Sequence, residues 1–541
     1  MKHLSGLDAM FLHVESAEMP MHVGSMHVLD LPAGYNGDYY EDVKAALSQR
    51  LHLAEVFTRK LALMPFDLSN PVWIEDEDID LEHHIRHITL SKPGSNQQLQ
   101  QLVARLHSSL MDRSRPLWEL VVIDGLKTGQ VALYAKAHHS AIDGQAGVAL
   151  ARALFDLEPQ GRQIRPPRAK ARRNQYQLGV AELAWAATRN TVHQYVKLGQ
   201  MVPEIVRTVK QAIQAREPGP RWQLPKLPKL PKLNKLLAPR SPLNVAITNQ
   251  RAFAARTVPL AEVKRVAQQL NVSLNDVVMA CTAGALRRYL SDSGELPARS
   301  LSAAVPVSLR AAGDATSNNQ VSMVRMHLAT DIADPLERLR QISASSSSTK
   351  AMTNSVKTVI PTDFPLLAAP WLVSGVASLL GRSRLANVVP PLANVLISNV
   401  PGVPVPLYFA GARMLCYYPV SIPAHGMALN VTVQSYDGRL DYGLIGCHRA
   451  VPDIGELGDY LLAEHRQIAQ LAQAFHDAEQ VKASAEAEAK ASAKAARPPK
   501  AAPVRKRSPA AVAGKAESSS LPARAARAAK ASRPAKVALA A

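Results

Sequence analysis

The chain has 541 residues, 47% of them hydrophobic and 20% charged, which excludes wholesale disorder and leaves room for two to four domains at about 150 residues each. Aromatic residues make up only 5%, so burial falls to Leu, Val, Ala and Ile, and three scattered cysteines (Cys281, Cys416, Cys447) exclude a disulfide framework or a cysteine zinc site. A formal charge of +19 points to an anionic partner, while the opening MKHLSGLDAMFLHVESAEM carries acids too early for a secretory signal, so a reducing cytoplasm is expected.

In chain order, residues 1–160 mix helices and strands. The run Glu82–His87 alternates like an exposed strand, and Asn96–Leu110 has helical spacing. Leu117–Asp124 and Val131–His139, separated by a glycine-containing turn, predict a β-hairpin, followed by a helix over Gly144–Leu157. Residues 161–244 read as a linker. It holds a basic stretch (Gly161–Arg173), a segment of helical spacing (Asn174–Glu217) and the repeat RWQLPKLPKLPKLNKLLAPR (Arg221–Arg240). Prolines 225, 228 and 231 forbid an α-helix there and favour extended polyproline II. Its alternating Leu and Lys suit either a stiff spacer or an anionic lipid surface met by Lys226, Lys229, Lys232 and Lys235.

Residues 245–475 again mix the two kinds of element. Helices are predicted over Leu260–Leu270 and Ser273–Tyr289, the second opened by the capping spacing of Ser273 and Asp276. Strands follow at Ser300–Leu309 and Gln320–Leu328, helices near Pro335–Ser345 and Pro365–Leu380, and strands at Asn394–Asn399 and Leu407–Pro419. A hairpin of Ala428–Gln434 and Leu440–Ile445 turns at Asp437-Gly438, and a last helix runs from Ile454 to Phe475. The longest apolar run, Phe364–Leu380, holds Pro365 and Pro370 and falls short of the roughly 20 residues that span a bilayer, so it reads as a buried helix or cavity wall.

Residues 476–541 are almost wholly Ala, Lys, Arg, Pro and Ser and are expected to be disordered. Val481–Ala541 carries eight lysines and six arginines against three glutamates, so +11 of the +19 lies there. This tail resembles the Ala/Lys/Pro tails of histone H1-like bacterial proteins, which implies nonspecific nucleic-acid binding; a solvated, solubilising tail is the plainer reading.

Chemistry concentrates in AKAHHSAIDGQAG (Ala135–Gly147), where a strand ends at His138-His139 and Asp143-Gly144 follow. A histidine at a strand end, mostly neutral yet still basic near pH 7, can take the proton of an alcohol or amine that attacks an acyl group. Gly144 permits a tight turn, and Asp143 can equally be a helix N-cap. His138 and His139 can equally be buried structural histidines; no third ligand at useful spacing supports a metal. Ser140 and Cys281 lack a nucleophile context, and Cys281 sits in apolar VVMACTAG.

HHSAIDG matches the HHxxxDG signature of acyl-CoA-dependent acyltransferases related to chloramphenicol acetyltransferase and to peptide-synthetase condensation domains. Together with Leu4–Gly24, MDRSRPLWEL (Met111–Leu120), NDVVMA (Asn275–Ala280), VPVSLR (Val305–Arg310) and LISNVPG (Leu396–Gly402), in that order, the chain resembles the bacterial wax ester synthase/diacylglycerol acyltransferase family over residues 1–475. The Lys-Leu-Pro segment and the tail depart from that pattern.

The resemblance implies an α/β fold of two chloramphenicol-acetyltransferase-like domains across a central tunnel. It implies acyl-CoA as co-substrate, no further cofactor, and diacylglycerol or a long-chain fatty alcohol as acceptor. His139 is then the base, with no acyl-enzyme; His138 shapes the site; Asp143 is structural, pairing with an arginine such as Arg310. Asn275 stands near the reacting centre, Asp276 caps its helix, and Pro116, Leu117 and Trp118 support the cleft wall. Peripheral association with the inner membrane face and lipid inclusions follows from an insoluble product. The alternatives are a condensation-type enzyme using a carrier-bound donor, and a non-catalytic protein tethering lipid inclusions to DNA.

Overall fold

The computed structural model describes residues 2–4, 6–62, 71–142, 150–166, 237–308, 321–356, 387 and 390–495. Residues up to Gln480 form one unit and Val481 onward a second, of which only helix is described. The first half runs β1 (Lys2–His3), α1 (Gly6–Val14), β2 (His22–Asp30), α2 (Tyr39–Ser48), α3 (Glu55–Thr58), β3 (Arg59–Ala62), β4 (Val72–Glu75), α4 (Leu81–His84), β5 (Ile85–Thr89), α5 (Asn96–His107), β6 (Trp118–Asp124) and β7 (Val131–His138). The second runs β8 (Arg251–Pro259), α6 (Leu260–Gln269), α7 (Leu274–Asp292), β9 (Ser302–Ser308), β10 (Val321–His327) and α8 (Pro335–Val356). It continues through β11 (Val395–Val400), β12 (Tyr408–Phe409), β13 (Ala412–Val420), β14 (Leu429–Tyr436), β15 (Arg439–Cys447) and α9 (Ile454–Ala495).

Two six-stranded sheets carry the first unit. One has the order β12-β13-β2-β7-β6-β5 and the other β10-β9-β11-β14-β15-β8; β1, β4 and β3 form a small third sheet. The first sheet is completed by β12 and β13, which come from the second half of the chain. Its pairs are antiparallel except β5 with β6, and β2 pairs β7 with His22 opposite His138. The second sheet holds two parallel pairs, β11 with β14 and β11 with β9.

Helix α5 lies between the sheets. Ser95 accepts from the Gln98 N–H and Gln98 returns the bond to the Ser95 N–H, closing two otherwise open donors at its start. Its buried Leu99, Leu102, Val103 and Ala104 pack with Met26, Val121 and Ala132 of the first sheet and Phe253, Ala255 and Ile445 of the second. The sheets also meet at β13 and β15: a Cβ on Gly443 would stand 1.7 Å from the Pro419 carbonyl oxygen, so only glycine allows this crossing.

The predicted hairpins form, with positive φ at Asp437 and Gly438 as a two-residue turn requires. Four expectations need correction. Leu407–Pro419 is a tight hairpin rather than one strand, because Ala410 and Gly411 both take positive φ and fold β12 back on β13. Glu82–His84 belongs to a helical turn capped by Asp80, not to a strand, and His84 is buried. Helix α8 runs eleven residues past Ser345. The last helix continues beyond Phe475 to Ala495, because Ala, Glu and Lys are strong helix formers and Glu486 stands four residues before Lys490. Phe364–Leu380, the four linker lysines and the chain after Ala495 lie outside the described residues.

Candidate active site

Strand β7 delivers the double histidine. Val131, Leu133 and Ala137 pack into the core of the first sheet, and the chain leaves the ladder at His138, whose N–H bonds to the Leu117 carbonyl at 3.0 Å. His139 still extends the register, its N–H bonding to the Met21 carbonyl at 2.9 Å. Successive strand residues point to opposite faces, so the two imidazoles diverge.

The His138 ring is buried and committed at both nitrogens. Ser140 donates to Nδ1 from its backbone N–H at 3.1 Å and from its hydroxyl at 2.7 Å. The ring proton is therefore on Nε2, which donates to Glu15 Oε2 at 3.2 Å. Glu15 follows helix α1 and is itself 4% exposed. Its Oε2 also accepts the Met21 N–H at 2.9 Å, and its Oε1 pairs with Arg113 at 2.7 Å. Burial alone would raise this carboxyl, yet the hydrogen bond from His138 and the charges around it hold it down at about 2.

His139 is only partly buried, and its ring lies flat on Phe11 of α1, centroids 4.0 Å apart and planes 14° from parallel. Its Nδ1 is buried with no hydrogen-bond partner among the described residues. Burial, with neighbouring His138 adding to it, lowers the imidazole to about 4 against a weaker pull from its own carbonyl. The ring is therefore neutral over the whole physiological range, as a proton acceptor must be.

Pro116 and Leu117 are buried, and the Leu117 carbonyl receives the His138 N–H. Trp118 is buried, donates to the Phe57 carbonyl at 3.2 Å, stacks on His84 with centroids 4.3 Å apart and lines a cavity of about 140 Å³. Asp276 accepts from the Ser273 N–H at 3.0 Å and from the Ser343 hydroxyl at 3.1 Å, which makes it a cap for α7. Asn275 accepts from Asn399 at 3.4 Å, bringing NDVVMA and LISNVPG together. Among the described residues neither Asn275 nor Asp276 bonds to His138 or His139. Asp143, Gly144 and Arg310 lie outside the described residues. Ser140 spends its hydroxyl on His138, and Cys281 is buried with its thiol pushed far up by that burial. Neither is placed as a nucleophile.

Comparisons with known proteins identify the family. The model of the wax ester synthase/diacylglycerol acyltransferase catalytic domain matches residues 4–278, and that of the family's C-terminal domain matches 317–469. The chain belongs to the wax ester synthase/diacylglycerol acyltransferase family. It is 37% identical over 459 residues to a putative diacylglycerol O-acyltransferase of Mycobacterium tuberculosis, covering 85% of this chain and 97% of the relative. It is 32% identical to the O-acyltransferase WSD of Acinetobacter baylyi, over 86% of this chain and 96% of that one. The solved wax ester synthase/diacylglycerol acyltransferase of Marinobacter aquaeolei superposes with a TM-score of 0.62 at 32% identity, covering 87% of this chain and 100% of that one. The protein is thus an O-acyltransferase, and its family joins an acyl donor to an alcohol or diacylglycerol acceptor.

Within this family member, sequence reasoning placed the two histidines but passed over Glu15, Phe11 and Arg113. The available signal was an acid directly after an apolar helix in the opening segment. Its partners, 98 and 123 residues away, were not visible from spacing.

Proposed function

We propose that the protein transfers a long-chain acyl group from acyl-CoA to diacylglycerol, to a long-chain fatty alcohol, or to both, with His139 as general base. The acceptor hydroxyl gives its proton to the imidazole as its oxygen attacks the thioester carbonyl. The C–S bond then breaks, coenzyme A takes the proton from His139 as a thiol, and the ester remains. No acyl-enzyme intervenes and no further cofactor takes part. His138 is a positioning residue, since Glu15 and Ser140 occupy both its nitrogens. The observation that carries the reading is a partly exposed imidazole, kept neutral by burial, at the end of the strand that bears HHxxxDG.

With palmitoyl-CoA and either hexadecanol or dipalmitoylglycerol, His139→Ala should lose at least about 10²-fold in kcat by thiol release while its circular dichroism is unchanged. Full turnover in that variant would sink the assignment. We further place the protein at the inner membrane face and at lipid inclusions, peripherally. Among the described residues no helix is long and apolar enough to cross a membrane, and the Lys-Leu-Pro repeat offers four lysines spaced three residues apart in sequence. Changing Lys226, Lys229, Lys232 and Lys235 to Gln together should weaken binding to anionic vesicles; unchanged binding would make the repeat a spacer.

A further inference from the structure

The 140 Å³ cavity does not touch the ring of either motif histidine. It lies against β2 and β7 and is lined as well by Phe57, Trp118, Ile142, Leu150, Leu154 and Phe155. Ile142, the fifth residue of the HHxxxDG motif, is part of this lining, which ties the chamber to the site. Ala135 and Ala137 line it from β7 and by alternation share a sheet face with His139. An apolar cavity of about 150 Å³ holds a molecule the size of benzene, so the space fits about six carbons.

The chamber is not wholly apolar. Ser25 and His27 project into it from β2, the serine hydroxyl 2.8 Å from His27 Nε2, and both side chains are more than nine-tenths buried. Tyr417 of β13 reaches the same place, its hydroxyl raised by burial and drawn back by a hydrogen bond with Ser25. A serine beside a histidine suggests a nucleophile and its base, but burial holds His27 down at about 3, too weak to deprotonate an alcohol. Ser25, with one donor and two lone pairs, keeps hydrogen-bonding capacity for a ligand. The charged liners Lys136 and Glu119 pair with each other at 3.3 Å, and Lys136 also bonds to the carbonyls of Leu106 and Ser109. The vacant hydrogen-bonding capacity is therefore neutral.

We propose that this chamber binds an uncharged apolar group of about six carbons bearing one hydrogen-bonding oxygen, which Ser25 recognises. Resting on the acyltransfer reading, its natural occupant is the distal part of an oxygenated substrate chain. Such a chain runs from His139 over Ala137 and Ala135 to Ser25, about 13 Å along the strand for four residues. The site thus selects hydroxylated chains over plain ones.

Cyclohexanol and methylcyclohexane differ by a hydroxyl at equal size, and saturation-transfer NMR on the full chain reads their binding without turnover. Wild type should bind both and prefer cyclohexanol by about 5-fold. Ser25→Ala should erase the preference and keep methylcyclohexane binding, and Ala135→Leu should exclude both. His139→Ala should bind like wild type, so this inference and the assignment of the base fail separately. No binding to wild type, or an undiminished preference in Ser25→Ala, overturns the proposal.

Discussion

The two six-stranded sheets are built alike and used differently. Of the six fully buried histidines among the described residues, His22, His27, His84, His107 and His138 belong to the first 140 residues and only His465 to the second half. The second sheet faces α7, whose residues from Val277 to Leu286 are buried and, apart from Thr282, small or apolar. A buried neutral imidazole needs a partner for each polar nitrogen, so it weakens a core unless it does something there. The first half accepts that cost where the proposed base stands, and the second supplies an apolar wall.

The contrast can be broken first from the second sheet. Leu444, on β15 and 1% exposed, packs in the core of the second sheet; Leu444→Ala should cost about 3 kcal/mol of stability while the folded fraction keeps its kcat. Denaturant titration beside single-temperature kinetics checks this, and lost activity in fully folded variant would show that the second sheet is more than a wall. The junction of the sheets should show a smaller effect. Asp441 is fully buried on β15, accepts the Tyr417 N–H at 2.7 Å and the Thr257 hydroxyl at 2.6 Å, and burial pushes its carboxyl up to about 6. A raised carboxyl favours folding in its protonated form, so its contribution is complete below about pH 4 and is lost as pH rises through about 6. Asp441→Asn should flatten that pH dependence in urea midpoints.

The smallest change belongs to the site itself. Glu15→Gln keeps the shape and removes the charge facing His138, and should lower kcat/KM by about 10-fold with KM little moved. In wild type the acid limb of kcat/KM should fall near pH 4, where His139 gains its proton, rather than near 6.5. A limb at 6.5 would mean that the ring sits in a wetter place than Phe11 and the strand end provide.

The candidate base His139 was legible because its signal is local: a double histidine at a predicted strand end and the Asp143-Gly144 after it lie within seven residues. Most strands and the α7 cap were legible for the same reason, since alternation and Ser273–Asp276 spacing are read within one element. Glu15 and Arg113 were not, because their meaning is set by the fold bringing three segments to one carboxylate. Alternation likewise marked Leu407–Pro419 as extended without saying which sheet it joins, and it concealed the turn at Ala410-Gly411. The Ala/Lys/Glu stretch after Phe475 misled in the other direction: its lack of large apolar residues argued against order, while its intrinsic propensity suffices for helix to Ala495.

One strand changes how the protein can be taken apart. β13 runs beside β2 along seven paired positions, from Asp30 with Arg413 to Gly24 with Val420. A fragment ending before residue 408 would leave β2 with a bare row of donors and acceptors, ready to pair with another copy. The histidine-bearing half is therefore no detachable module, and a shortened enzyme for crystallisation or engineering has to be trimmed from the end of the chain.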